Sequence, residues 1–345
     1  MNRPSRRTHG RRTAAVVTLT CALTATAYWP AQAEPETLAQ VHARLKGLYH
    51  DAEVATEKYN AVDEKVKKQH KRLRELKAQV AAVNRKLAPL SAAAGAAVRA
   101  QYRNGGLPVE VQITLASSPE NALENASVAH QAQQTTLSVI KALRKTRDER
   151  DDRADEASET LSRLQANRRT ADKQRKAIKR HIADAQAIEA RLTLKQRRQL
   201  TALETQESRD AQAKWLGSGI LDRIGTKAGP KGRKAIAYAT AQLGKPYLWG
   251  AVGPDSFDCS GLTSRAWLAA GVPIPRTSQE QWRQLEHVPV DHMRPGDLII
   301  YFSDASHVAL YIGDGQMIQA PRTGRTVSVA PAGSMAILGV VRPDA

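Results

Sequence analysis

From Leu38 onwards the apolar residues recur at alternating steps of three and four. They are Leu38, Val41, Leu45, Leu48, Ala52, Ala55, Tyr59, Val62 and Val66, then polar Gln69, then Leu73, Leu76, Val80, Val83, Leu87 and Leu90. An a/d seam held over seven heptads, with Glu, Lys and Arg on most other positions, commits this stretch to α-helix and to a helical partner. At about 1.5 Å per residue it would run roughly 80 Å. Gln69 interrupts the seam and is expected to set register at some cost in stability. The pattern breaks at Pro89 and again across Asn104-Gly105-Gly106-Leu107-Pro108, with a short strand-like or irregular stretch expected at 109–115. Ser117-Ser118-Pro119-Glu120 reads as a helix start, with a hydroxyl cap and Pro in the first turn. A looser seam (Leu137, Ile140, Leu161, Leu164, Ile178, Ile182, Ile188, Leu192) carries the helix to about Trp215. The simplest architecture is an antiparallel coiled-coil hairpin over 34–216 with its tip near 91–119. Its arms are unequal, so part of the second must pack elsewhere or stand alone. Gly217, Gly219, Gly225, Gly229 and Gly232 with Pro230 mark a flexible, Gly-rich linker over 217–230.

Composition agrees with a chain that is largely amphipathic helix: aromatic residues are 4%, charged residues 25% and mean hydropathy is −0.47. Residues 1–12 carry Arg3, Arg6, Arg7, Arg11 and Arg12 and no acid; an apolar stretch from Thr13 to Trp29 and then Ala31-Gln32-Ala33 follow. That order is a secretory signal peptide over 1–33, cut after Ala33, with an uncleaved anchor as the alternative. The adjacent arginines permit twin-arginine export without deciding the route. No later apolar run reaches the roughly 20 residues that span a bilayer, which excludes a multi-span membrane protein. Cys21 would leave with the signal, so the mature chain would hold one cysteine, Cys259, unable to form an internal disulfide. Net charge is +18, of which the first 33 residues supply +5 and residues 230–345 only +2, leaving +11 on the helical arm. This reads as a solvated coil face or as attraction to an anionic wall polymer or lipid headgroups. Export argues against nucleic acid as the partner.

After the linker the aromatics return. Lys234 to Leu243 reads as a helix closed by Gly244, and Asp258-Cys259-Ser260-Gly261 leads into a helical run over 262–270. A cysteine at a helix start faces unpaired amide N–H groups and the positive end of the dipole, which stabilise a thiolate. A thiolate needs a base, usually histidine. His287 and His292 flank a polar connection and read as surface. His307 differs: it opens a strand (308–312) after the Asp304-Ala305-Ser306 turn. Gly313-Asp314-Gly315 then turns the chain back, placing Gln319 beside the His307 strand. Its carbonyl can accept the imidazole N–H and hold the ring in the tautomer that takes a proton from sulfur. No metal or other cofactor is implied, because the histidines lack ligand spacing.

PYLWG, DCSGL, PRTSQEQW, RPGDLIIY, SHVALYIGDGQMI and APRTG, in this order over about 230–345, resemble the NlpC-type family of bacterial cell-wall cysteine endopeptidases. The resemblance implies an α+β papain-like catalytic domain over 231–345, preceded by the long all-α coiled-coil hairpin. It also implies Cys259 as nucleophile, His307 as base and Gln319 in the orienting position, with Tyr247, Asp258 and Ser260 lining a pocket for the free amine of a stem-peptide L-Ala. Where Ala251 stands the family commonly has a second glycine. The implied function is a secreted peptidoglycan hydrolase that cuts stem-peptide amide bonds, between D-glutamate and the diamino acid. A related option is an acyltransferase or amidase on the same thiol fold. From another class comes a coiled-coil regulatory or binding protein that docks a membrane division partner, its C-terminal domain binding wall but weakly active. YRNGG near the tip is similar to secreted division-associated wall hydrolases, in which such a coil recruits or restrains the catalytic domain.

Overall fold

The computed structural model describes residues 36–103 and 118–345, together with Val111 and Thr114. The segment read as an export signal and most of the hairpin tip lie outside the described residues. Helix α1 (Leu38–Arg103) and helix α2 (Pro119–Arg191) run antiparallel. Arg153 donates to Gln79 (3.0 Å), Asn167 to Gln69 (3.0 Å) and Tyr49 to Glu189 (2.9 Å), so residue numbers rise on one arm as they fall on the other. Of the expected seam, Val41, Leu45, Ala52, Ala55, Leu73, Leu76 and Val83 are buried, as are Leu164, Ile178 and Ala185 on the other arm, whereas Leu48, Val62, Val66 and Val80 are half-buried and Tyr59 meets Trp249 instead. Gln69 spends its polarity on Asn167 across the hairpin, a pairing that favours one register.

Two boundaries differ from expectation. Helix α1 passes straight through Pro89. The missing N–H forfeits one intrahelical bond, but Val83, Leu87 and Leu90 on either side still pack, and tertiary contact outweighs the local defect. Conversely, the second arm breaks at Thr193, and helix α3 (Leu194–Leu216) starts afresh. Thr193 Oγ1 accepts from Gln196 N (3.2 Å) while Gln196 Oε1 accepts from Thr193 N (2.9 Å), a reciprocal cap written in the sequence as Thr-Leu-Lys-Gln.

Downstream lie helices α4 (Pro230–Thr240), α5 (Cys259–Ala269) and α6 (Ser278–Gln284). Six strands follow: β1 (Glu286–Val288), β2 (Leu298–Tyr301), β3 (His307–Gly313), β4 (Gln316–Gln319), β5 (Ser328–Pro331) and β6 (Ile337–Arg342). They form one antiparallel sheet in the order β1-β6-β2-β3-β4-β5. Alternation assigns the faces. Leu298, Ile300, Val308, Leu310 and Ile318 pack with Ala239, Leu262, Ala266 and Trp267 from α4 and α5. Ile299, Tyr301, Ala309, Tyr311 and Met317 form the other core. This is the expected α+β papain-like arrangement behind an all-α hairpin.

The segment 217–229 is not a loose tether. Ile220 and Ile224 enter the second core, and Gly225 N donates to Met293 O (2.7 Å). The surplus of the second arm has a place as well: α3 lies on the β4–β5 end of the sheet, where Gln212 donates to Gly315 O (3.2 Å) and accepts from Gly333 N (2.6 Å). A Cβ on Gly333 would fall 2.6 Å from that of Trp215, so only glycine admits the helix this closely. Leu38–Ala345 thus forms one compact unit. Gln212→Ala should strand the buried Gly333 N–H, while Gly315 O keeps its bond from Ala332 N, and lower unfolding stability by about 1–3 kcal/mol, read by urea denaturation.

Candidate active site

Cys259 is the first residue of α5, and the residue before it fixes that start. Asp258 is extended (φ −94°, ψ 177°), and its Oδ1 accepts from Gly261 N at 2.7 Å, capping the helix. Gly261 is obligatory: a Cβ there would sit 2.2 Å from the Ala251 carbonyl oxygen. Ala251, the departure from the family pattern, holds the loop through that carbonyl, which accepts from Asp258 N (3.1 Å). The cysteine is thereby buried with its sulfur at the positive end of the helix.

Across the cleft, His307 opens β3 opposite Tyr301. Its Nε2 lies 2.8 Å from Gln319 Oε1, and an amide oxygen only accepts, so the proton sits on Nε2 and Nδ1 carries the lone pair. Nδ1 is buried without a hydrogen-bond partner. Burial holds this imidazole neutral, its pKa down to about 4 against the pull of Gln319. His287, by contrast, is exposed and stacks on Trp282 (3.8 Å), and His292 is exposed.

Sequence reasoning missed the residue that ties this centre together. Arg276, in the loop before α6, grips Asp258 with both prongs (Nη1 to Oδ1 3.0 Å, Nη2 to Oδ2 2.7 Å) and also donates to Ser260 Oγ (2.9 Å). Its place in PRTSQEQW was the available signal. Thr277 caps α6, and buried Gln281 donates to Ser260 O (3.3 Å) and accepts from Thr263 (3.0 Å), locking α6 to α5. Of the residues expected to line an amine pocket, Asp258 and Ser260 converge on Arg276. Tyr247 is buried nearby, its phenol pushed well above its ordinary pKa by burial first and then by Cys259 and Asp258.

The cleft is covered from the hairpin side. Glu57 Oε1 accepts from Ser260 Oγ (2.7 Å) and lies 3.6 Å from Cys259 Sγ, while its Oε2 accepts from Ser278 N (2.9 Å). Asn60 Nδ2 donates to Asp258 Oδ2 (3.0 Å). Glu53 Oε1 stands 3.8 Å from His307 Nδ1. Among the described residues the side chain that the sulfur donates to is therefore a carboxylate, not the imidazole. Burial, then the charges of Glu57, Asp258 and Glu53, push the thiol well above its ordinary pKa. Burial also raises Glu57 to about 7, Asp258 adding to the rise and Arg276 opposing it. Thiol and imidazole are both neutral here. The sequence clue was polar Glu53, Glu57 and Asn60 one helical turn apart, beside a seam of small Ala52 and Ala55. Among the described residues no three His, Cys, Asp or Glu gather as metal ligands.

Two outcomes follow from this geometry. Arg276→Leu leaves the buried Asp258 charge unpaired and should cost about 3–5 kcal/mol of unfolding stability by chemical denaturation, whereas Arg276→Lys, keeping one prong, should cost less. Because the thiol is raised, the rate of iodoacetamide alkylation of Cys259 in the full chain should show no ionisation step below about pH 9, its ordinary range. A step near neutrality would mean that the thiolate–imidazolium pair already exists.

The NlpC/P60 family model matches residues 244–336. Two Corynebacterium glutamicum proteins, each named a probable endopeptidase, are 36% and 39% identical to this chain over 129 and 114 residues. Those matches cover 37% and 32% of this chain and 61% and 54% of the relatives, so the chain spans little more than half of their length. A protein named probable endopeptidase p60 from Listeria monocytogenes is 45% identical over 91 residues, 26% of this chain and 19% of that one. The crystallised P60 domain of a Mycobacterium avium subspecies paratuberculosis antigen is 34% identical over 32% of this chain and 92% of that one, with a TM-score of 0.30. Residues 244–336, which carry the DCSG helix start and the hydrogen-bonded His307–Gln319 pair, thus form an NlpC/P60 domain at the C-terminal end of the chain.

Proposed function

We propose that the chain is a secreted, cell-wall-associated cysteine endopeptidase that cleaves amide bonds in peptidoglycan stem peptides, between D-glutamate and the diamino acid. The observation that carries this reading is the His307–Gln319 hydrogen bond, because it leaves the imidazole lone pair on Nδ1, on the side of the cleft that meets the same face of α1 as Cys259. In the open cleft the Sγ proton passes to Nδ1 and the thiolate attacks the γ-carbonyl of D-glutamate. The Cys259 backbone N–H, outside the intrahelical set, is the natural donor to the oxyanion. As the C–N bond breaks, the imidazolium returns its proton to the leaving amine. Water, deprotonated by the same Nδ1, then cleaves the thioester and restores the thiol. Gln319 is neutral, so it orients the ring but stabilises the imidazolium less than a carboxylate would. Ser260 and Asp258 are the residues poised for the L-Ala amine, with Tyr247 forming the adjoining wall.

The names of the relatives support the reaction class, and the buried, capped position of Cys259 supports its role as nucleophile. The basic excess of the hairpin supports an anionic wall polymer as a second contact, and a membrane division partner belongs to the same reading of the hairpin. The covered cleft favours one competing view, a regulatory or binding protein with a weakly active domain. Product mass separates the two. The full chain incubated with L-Ala-γ-D-Glu-diaminopimelate should slowly release L-Ala-D-Glu and free diaminopimelate, and Cys259→Ala should release neither. Fragments from a folded Cys259→Ala variant would overturn the assignment, and products of another mass would move the cut or make the enzyme an amidase or acyltransferase.

A further inference from the structure

Everything that covers the cleft comes from three consecutive turns of α1. His50 lies 3.2 Å from Asp304 and edges onto Phe302 (4.9 Å), gripping the loop that precedes His307. Glu53 faces the imidazole, and Glu57 faces the sulfur, Ser260 and Ser278. Tyr59 stands edge-on to Trp249 (5.4 Å), and Asn60 reaches Asp258. Glu57 and Asn60 are as buried as the seam of the hairpin, yet they reach residues around Cys259. A carboxylate and an amide sealed into another domain need polar seats waiting for them. Both have one: Asp258 is an acceptor for N–H donors, and Ser260 Oγ with Ser278 N is a donor pair for an oxygen. These are complementary to the two ends of a peptide-like ligand with a donor on one side and an acceptor near the sulfur on the other.

We propose that Glu57 and Asn60 act as an intramolecular pseudosubstrate, Asn60 occupying the donor seat on Asp258 and Glu57 the acceptor seat on Ser260 and Ser278, with a carboxylate set against Cys259. The inference rests on the hydrolase reading for the word substrate, and on the contacts alone for the occlusion. It goes beyond restraint by a coil in general, because it places the block in two side chains and makes it chemical as well as steric. While α1 is docked, a ligand meets filled seats and the sulfur faces the Glu57 carboxyl group. Undocking empties both seats, and water entering the cleft removes the burial that keeps thiol and imidazole neutral. Charge and coverage can be told apart: Glu57→Gln keeps an acceptor of the same shape without the charge, whereas Glu57→Ala with Asn60→Ala empties both seats.

The test reads Cys259 directly. Full-length chain is treated with iodoacetamide at pH 7.5, and the peptide containing Cys259 is followed by mass, which separates it from Cys21. The Glu57→Ala/Asn60→Ala variant should alkylate at least about tenfold faster than wild type, and Glu57→Gln should fall between, since reactivity follows both exposure and thiolate character. A second pair, His50→Ala/Tyr59→Ala, loosens the same three turns from outside the seats and should accelerate alkylation as well. Glu64→Ala, elsewhere on α1, is the control and should match wild type. Wild-type alkylation rates in both pairs, with unchanged helix content by circular dichroism, would overturn the proposal. Stem-peptide cleavage is measured on the same samples. Faster alkylation without any cleavage upholds the block and tells against the peptidoglycan reading, and cleavage at equal rates in wild type and the seat variant tells against the block while upholding the enzyme.

Discussion

The geometry of the site depends on one buried ion pair, the two-pronged grip of Arg276 on Asp258. Asp258 is fully buried, and a lone carboxylate there would be costly. Its oxygens are instead filled by the guanidinium, by Gly250 N (2.9 Å), by Gly261 N and by Asn60. Each partner belongs to a different piece of chain: the aromatic loop, the catalytic helix, the segment before α6, and the hairpin. The pair therefore sets where α5 begins, and with it the position of Cys259. Through Ser260 it also sets where α6 stands. Such a pair gives little net stability compared with apolar packing, and its value lies in geometry.

The hairpin meets the domain at two other places that share this polar character. Arg322, from the APRTG motif, lies over the Tyr49 ring (3.9 Å) and pairs with Glu204 (3.2 Å), to which Arg325 also donates (2.7 Å). Gln212 closes the opposite end on Gly315 and Gly333. Over the cleft, α1 is held by ion pairs, amides and ring edges, whereas α3 also packs Trp215 against the second core.

Electrostatics and occlusion point the same way. A catalytic thiol is normally favoured as thiolate by a helix N-terminus and a nearby imidazolium. Here the helix terminus is present, but burial alone holds the His307 imidazole neutral, and burial together with the carboxyl groups of Glu57, Asp258 and Glu53 raises the Cys259 thiol, so neither group carries charge. The same two side chains would change protonation state once the cleft is open, because solvent screens the carboxylates and lifts the desolvation cost.

Much of this was legible in the sequence. The period of three and four disclosed the hairpin because a stripe of that spacing has no other way to leave water. The order of short strands, turns and DCSG disclosed the domain, and tautomer chemistry singled out Gln319 beside His307. What the sequence kept hidden was contact between segments far apart in the chain. Nothing local in Glu57 or Asn60 says that they face a cysteine some two hundred positions away rather than solvent, since a polar residue on a coil is ordinarily a wet one. Glycines at 217–229 likewise suggest slack, and only the sheet's second face, by burying Ile220 and Ile224, makes them a fitted strap. Periodicity and motif are properties of neighbouring residues, so sequence alone determined the main elements and the candidate site residues. Whether those groups stand open or plugged is decided by docking, which only the tertiary structure resolves.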